Sequence, residues 1–142
     1  TAWVFSEYGN NFLKTMLRVG AERDELKIVA DQVGTPTYAG DLAATLLRMA
    51  EESVASGIYH FSGGEACSWH AFADAIFKQK ASLDTAYSVP HLVPIGTSDY
   101  PTPAKRPAYS VLNDTKLKQV LVNHSADWNS AIGRVIGKLG QN

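Results

Sequence analysis

The stretch VADQVGTPTYAGDLA, residues 29–43, links a short apolar run to an amphipathic segment. The apolar run predicts a β-strand over Leu26–Ala30, and the turn-forming Gly34 and Pro36 predict a loop over 31–40. The apolar residues that follow recur with helical spacing and predict a helix over 41–52. Strand, loop and helix in this order are the building unit of α/β proteins.

The same alternation of strand and helix continues on both sides of this stretch. Five of the six prolines lie in 90–107, so that region is expected to be extended and irregular. The predicted order is therefore three strand–helix pairs, a loop and two helices, in one domain spanning 1–142 with about three strands. The other predicted elements are a strand at Ala2–Ser6, a helix capped by Asn10, a β-type run at Ile58–Ser62, a helix capped by Ser68, a short helix from Asp114 and a last helix from Asp127.

Two patterns concern the faces of the helices. Leu42, Leu46 and Met49 fall on one stripe of the helix over 41–52, with Ala43, Leu47 and Ala50 beside it. Three glycines spaced along the last helix predict that it closely approaches a neighbouring element; they are Gly133, Gly137 and Gly140.

Composition narrows the class of protein. The 142 residues are 45% hydrophobic and 19% charged, as in a globular domain, and the net charge of −1 comes with no Lys/Arg run that would bind nucleic acid. No segment reaches transmembrane length. The lone Cys67 excludes an intrachain disulfide and indicates a reducing, cytoplasmic compartment. Because the chain opens on TAWVFS without methionine, we expect it to be the middle of a longer protein.

Several kinds of catalytic site are not indicated by the sequence. The four histidines lack metal-ligand spacing, and one cysteine cannot form a thiolate cage; they are His60, His70, His91 and His124. No G-x-S-x-G motif, dinucleotide-binding glycine loop or Tyr-x-x-x-Lys pair occurs. Cys67 is expected to be packed and unreactive.

Three loops carry candidate binding residues. Trp3, at a predicted strand end, either stacks on a flat ring or sugar or is a core tryptophan. Gln32 offers a donor and an acceptor, or belongs to a loop that only starts a helix. Arg106, held between Pro103 and Pro107 in TPAKRPAYSVLNDTKL, either binds phosphate through its planar fork of donors or pins the loop to a carboxylate.

Taken together, the loops resemble one family. TAWVFSEYGNNFLKTMLR, VADQVGTPTYAGDLA, GIYHFSGGEACSWHAFADAIF and PTPAKRPAYSVLNDTKL occur in the order seen in the C-terminal half of dTDP-4-dehydrorhamnose reductases. That family belongs to the extended short-chain dehydrogenase/reductases. The resemblance implies an α/β fold, namely the substrate-binding part of an NAD(P)-binding Rossmann-like enzyme without its nucleotide-binding half.

The resemblance also implies roles for individual residues. Thr1 and Ala2 match a strand end that passes the nicotinamide, and Trp3 matches a tryptophan beside the sugar. Asn11 and Gln32 match segments that line the substrate cleft. By similarity to related epimerases with an R-P loop before the final helices, Arg106 matches an arginine that contacts the diphosphate. The resemblance therefore predicts that substrate is bound by Trp3, Asn11, Gln32 and Arg106. Phe5 stands where many members have tyrosine.

The implied activity belongs to a longer protein. Members use NADPH, or in some cases NADH, to reduce the 4-keto group of dTDP-4-dehydro-L-rhamnose, a step in supplying rhamnose for surface polysaccharide. The cofactor loop and the Tyr/Lys pair lie in the half that is absent here. We therefore expect the chain alone to be inactive, not to bind the cofactor, and to expose apolar surface that leads to self-association, for example as a homodimer, or to repacking. The alternatives are a non-catalytic subunit of the same fold and an enzyme acting on another dTDP-deoxysugar.

Overall fold

The computed structural model describes residues 1–122 and 126–140. These residues form five α-helices, six short strands and one 3₁₀ turn at Thr97–Asp99. The helices are α1 (Phe12–Glu22), α2 (Ala39–Glu51), α3 (Trp69–Leu83), α4 (Thr115–Val120) and α5 (Trp128–Leu139). The strands are β1 (Val4–Phe5), β2 (Glu25–Val29), β3 (Val33–Gly34), β4 (Thr37–Tyr38), β5 (Cys67–Ser68) and β6 (His91–Ile95).

The strands pair two by two. β2 and β6 run parallel in register from Glu25 opposite His91 to Val29 opposite Ile95. β1 pairs with β4 in parallel, and β3 pairs with β5 antiparallel. Because β2 and β6 are parallel, their carboxyl ends lie at the same edge, and the residues that follow them are brought together there.

The main core lies among α1, α3 and α5 and against β2. These helices bury one apolar face each, and among the side chains fully removed from solvent are Leu13, Phe72, Phe77, Ile132 and Val135. A smaller cluster joins α2 and α4 through Phe61, Leu117 and Leu121. Burial of these apolar side chains stabilises the fold, at roughly 1.5–3 kcal/mol for each large one.

Side chains at the helix starts largely follow the sequence pattern. Ser68 Oγ accepts from the Ala71 N–H at 3.1 Å at the start of α3, and Asp127 accepts from the Asn129 N–H at 3.0 Å at the start of α5. The predicted cap Ser68 and the predicted start of the last helix at Asp127 are confirmed. The prediction of Asn10 as the cap of α1 is wrong: the cap is Asn11, whose Oδ1 accepts from the Lys14 N–H at 3.2 Å.

The strands depart from the sequence pattern because pairing partners decide them. The loop predicted over 31–40 contains β3 and β4, and the region 90–107 contains β6 despite its prolines. Pro94 is tolerated because β6 pairs on one side only, with β2. The strand predicted at Ile58–Ser62 is wrong, since this segment pairs with no described strand and Ile58 is 80% exposed. A β-type composition does not form a strand without a partner.

The helix faces follow the sequence pattern only in part. On the α2 stripe, Leu46 is 58% exposed, while Leu42 and Met49 are partly buried against the smaller cluster. Of the glycines of the last helix, Gly133 faces Gln79 of α3, but Gly137 has open space where a side chain would stand. Gly140 faces only carbonyls of its own helix. Close approach to a neighbour therefore applies only to Gly133.

Candidate functional site

The loops of Gln32, Trp3 and Arg106 meet at β3. The Val33 N–H donates to the Ala108 carbonyl at 2.8 Å, and the Ser110 N–H donates back to the Val33 carbonyl at 2.8 Å. This pairing anchors the proline-rich loop to the strand that directly follows Gln32. Arg106 lies two residues before Ala108, so its Cα is within about 7 Å of an anchored position.

Trp3 contacts the same strand through Gly34. Its indole lies against Gly34 so closely that a Cβ at Gly34 would overlap the ring. The other contact is a stack on Trp69, with ring centroids 3.5 Å apart and planes 11° from parallel. The Trp3 carbonyl accepts from the Thr37 N–H at 3.1 Å, and its φ is 51°, a left-handed conformation that is unfavourable for a non-glycine residue. Trp3 is half-buried, so the ring is neither sealed in the core nor free in solvent.

Gln32 lies at the carboxyl edge shared by β2 and β6. It is 9% exposed, and its Nε2 donates to Thr97 Oγ1 at 3.1 Å. Thr97 is held by Asp31, whose carboxylate accepts from the Thr97 N–H at 2.9 and 3.0 Å and from the Thr97 hydroxyl at 2.7 Å. The backbone N–H of Thr97, and then its hydroxyl, lower the pKa of the Asp31 carboxyl below its usual range.

Arg106 is exposed, as is every residue of 101–109. Within 1–122 and 126–140 its guanidinium makes no hydrogen bond or ion pair, and the same holds for Lys105. The alternative in which Arg106 pins the loop to a carboxylate is therefore not what the described part of the chain shows. A free guanidinium keeps its donors available for an anion.

The remaining predicted residues are near the same strands. Thr1 is exposed, and its hydroxyl donates to Thr37 Oγ1 at 3.3 Å; Ala2 is half-buried. Asn11 is committed locally, because beyond capping α1 it donates through Nδ2 to the Ser6 carbonyl at 2.8 Å. The substrate and cofactor contacts of these residues stay predictions.

Sequence reasoning did not find three residues that shape the site. Asp31 and Thr97 hold Gln32, and Trp69 supports the indole of Trp3. Thr97 could have been found had β6 been recognised, because polar residues after parallel strands gather at one edge. Trp69 is the first residue of α3, and nothing local indicates its stack on Trp3.

The cavities described for this structure lie away from the candidate residues. Two neighbouring cavities of about 460 and 390 Å³ share Ala21, Asp84 and Tyr87, and neither is lined by Trp3, Gln32 or Arg106. The candidate residues thus lie outside both cavities.

Residues 1–122 and 126–140 contain no group of three or more His, Cys, Asp or Glu placed to hold a metal; His124 lies outside them. Burial raises the pKa of Cys67 to about 12, which fits the predicted unreactive thiol. In the same ranges, no helix combines the length and the apolar character needed to cross a membrane.

Comparison with known proteins decides the family. The family model described as the RmlD substrate binding domain matches residues 1–141. This chain belongs to that family. A dTDP-4-dehydrorhamnose reductase from Aggregatibacter actinomycetemcomitans is 48% identical over 140 residues, which cover 95% of this chain and 48% of the relative. The chain spans about half the length of the curated relatives it matches.

Solved structures of the family agree with the fold. The crystal structure of a dTDP-4-dehydrorhamnose reductase from Clostridium acetobutylicum superposes with a TM-score of 0.87 at 39% identity, covering 98% of this chain and 47% of that one. The reductase from Bacillus anthracis, crystallised in complex with NADP, gives 0.83 at 34% identity, covering 96% and 45%. The predicted family and the predicted α/β fold of an extended short-chain dehydrogenase/reductase are confirmed.

Proposed function

We propose that residues 1–142 are the sugar-nucleotide-binding part of an NADPH-dependent reductase that converts dTDP-4-dehydro-L-rhamnose to dTDP-L-rhamnose. The observation that carries this proposal is that the segments bearing Trp3, Gln32 and Arg106 meet at β3, and that Arg106 has no partner among residues 1–122 and 126–140. The names of the relatives, all at about twice this length, support the same substrate.

The three side chains offer complementary chemistry to a nucleotide sugar. Arg106 supplies a planar set of charged donors for the diphosphate. Trp3, whose indole lies between Gly34 and Trp69 and is half-buried, supplies the exposed part of its ring as an apolar contact for a sugar or base. Gln32 supplies polar groups at the edge of β2 and β6. Asn11 serves this surface by holding the start of α1 in place.

The reduction itself needs residues that this chain does not supply. The described residues include no glycine-rich turn after a strand that could cradle the phosphates of NADPH, and the sequence has no Tyr-x-x-x-Lys pair. Thr1 and Ala2 by themselves do not make a cofactor site. NADPH, which supplies hydride when bound, is proposed for the complete enzyme because the Bacillus anthracis neighbour holds NADP. A cytoplasmic location is proposed with it.

The test is to replace Arg106 by alanine in the complete protein and to measure affinity for dTDP-L-rhamnose by titration calorimetry. A charge-assisted hydrogen bond is worth about 1.5–3 kcal/mol, so affinity should fall about tenfold or more. Turnover at saturating substrate should change little, because the diphosphate is remote from the reacting carbon.

The matched control is Lys105→Ala, which removes the adjacent exposed cation and should cost less than about threefold. Equal affinity in wild type and Arg106→Ala would remove the phosphate role. A wild-type protein that neither binds dTDP compounds nor oxidises NADPH with the keto-sugar would overturn the proposal as a whole.

A further inference from the structure

Gln32 is held by a short chain of hydrogen bonds that has a direction. Asp31 accepts from the Thr97 hydroxyl at 2.7 Å, and Thr97 Oγ1 lies 3.1 Å from Gln32 Nε2. Backbone hydrogen bonds fix this arrangement. The Thr97 N–H also donates to both oxygens of Asp31, and next to Asp31 the Ala30 N–H donates to the Ile95 carbonyl at 2.9 Å. This series of hydrogen bonds thus lies at the paired ends of β2 and β6.

The direction follows from counting protons. A hydroxyl has one proton to give, and an ionised carboxylate only accepts. The Thr97 proton is directed to Asp31, so Thr97 Oγ1 can only accept from Gln32. Were the Gln32 amide reversed, its carbonyl oxygen would face another acceptor with no proton between them, which is unfavourable.

The other end of the amide is left for a ligand. Gln32 Oε1 accepts no hydrogen bond within 1–122 and 126–140, and it is not among the buried atoms sealed from solvent. The side chain itself is only 9% exposed, so its orientation is set by the surrounding protein and not by bulk water. An oriented, accessible acceptor on a buried side chain is suited to reading a donor.

We propose that Asp31 and Thr97 are positioning residues that fix the Gln32 amide with its carbonyl oxygen toward the ligand, where it accepts a hydrogen bond. This inference rests on the proposed function. The ligand group that faces Gln32 is then a donor, either a sugar hydroxyl or the imide N–H of the thymine base. Phosphate and ring oxygens are excluded from that position because they have no proton to donate.

The test uses the complete protein and compares Thr97→Val, which removes the hydroxyl at nearly constant shape, with Thr97→Ser, which keeps it. Gln32→Met should raise KM for the keto-sugar roughly three- to tenfold with kcat little changed, as expected for one lost neutral hydrogen bond. Thr97→Val should give part of that rise, because the freed amide spends time reversed. Thr97→Ser should resemble wild type.

A double-mutant cycle shows whether Thr97 acts through Gln32. In the Gln32→Met background, Thr97→Val should have no further effect on KM. A full effect in that background would overturn the inference, as would a Thr97→Val single variant indistinguishable from wild type. If Thr97→Val does not fold, Gln32→Glu replaces it in the test. The introduced carboxylate would then face Thr97 Oγ1 with no proton between them, because the Thr97 proton is donated to Asp31. Wild-type affinity in this variant would equally overturn the inference.

Dissociation constants for dTDP and dTDP-L-rhamnose separate the two donors. A loss in Gln32→Met confined to dTDP-L-rhamnose assigns the donor to the sugar, and an equal loss for both assigns it to the base; either result supports the inference. If wild type binds both compounds and Thr97→Val binds them with the same dissociation constants, only the positioning role is overturned. Wild type that binds neither overturns the proposed function itself.

Discussion

Replacing Gly34 by alanine tests the contact that places Trp3 against β3. A Cβ at Gly34 would overlap the Trp3 indole, and the ring cannot move back because it is stacked on Trp69. Overpacking of this kind costs about 1–3 kcal/mol. The backbone conformation of Gly34 is not left-handed, so the cost comes from the ring and not from strain in the backbone.

The cost translates into a thermal shift. At about 2.1 cal/mol/K per residue, unfolding 142 residues carries an entropy of about 0.3 kcal/mol/K. A loss of 1–3 kcal/mol therefore lowers Tm by about 3–10 °C. Calorimetry or circular dichroism on heating measures the change in Tm. Tryptophan fluorescence at about 20 °C reports whether the Trp3–Trp69 stack has opened.

Gly137→Ala is the matched control, because Gly137 lies within α5 with open space around the added Cβ. It should raise stability by about 0.5–1 kcal/mol, since glycine is a poor helix former. In a Trp3→Ala background, Gly34→Ala should lose most of its cost. An unchanged Tm and unchanged fluorescence in Gly34→Ala, or a full cost without the indole, would show that the overlap does not decide the packing here.

Two further predictions concern the surface and the ends of the chain. Lys138 hydrogen-bonds Glu7 and thereby lowers the pKa of that carboxyl, and the pKa of Lys138 is raised in return. The pair therefore stabilises the fold between about pH 5 and pH 10, losing its effect as pH falls through the depressed pKa of Glu7 or rises through the raised pKa of Lys138. The Tm difference between wild type and Glu7→Gln should be present at pH 7 and shrink below pH 4; a constant difference would contradict this. Leu46 and Leu47 are 58% and 66% exposed on α2, so the predicted self-association of the isolated chain should weaken about fivefold for each change to lysine, since burying that much leucine is worth about 1 kcal/mol. Sedimentation equilibrium measures this, and a wild-type chain that stays monomeric at high concentration would refute it.

The helices were largely predictable from sequence, and most of the strands were not. The apolar positions of α3 and α5 lie three and four residues apart, and Ser68 and Asp127 cap their own helices, so the information is local. β3 and β4 have two residues each and exist only because β5 and β1 lie beside them. β6 was concealed by Pro94 within it and Pro90 just before it, and residues 58–62 have strand composition without a described partner.

For the site, the sequence determined which side chains were available: an indole, an amide and a guanidinium between prolines. Tertiary structure alone decided that the segments bearing them meet at β3, that Trp69 lies behind Trp3, and that Asp31 and Thr97 orient Gln32. Thr97 is 65 residues from Gln32 in the chain. The reason is physical: hydrogen bonds between strands join residues by position in space, and no local pattern encodes which distant backbone will supply the partner.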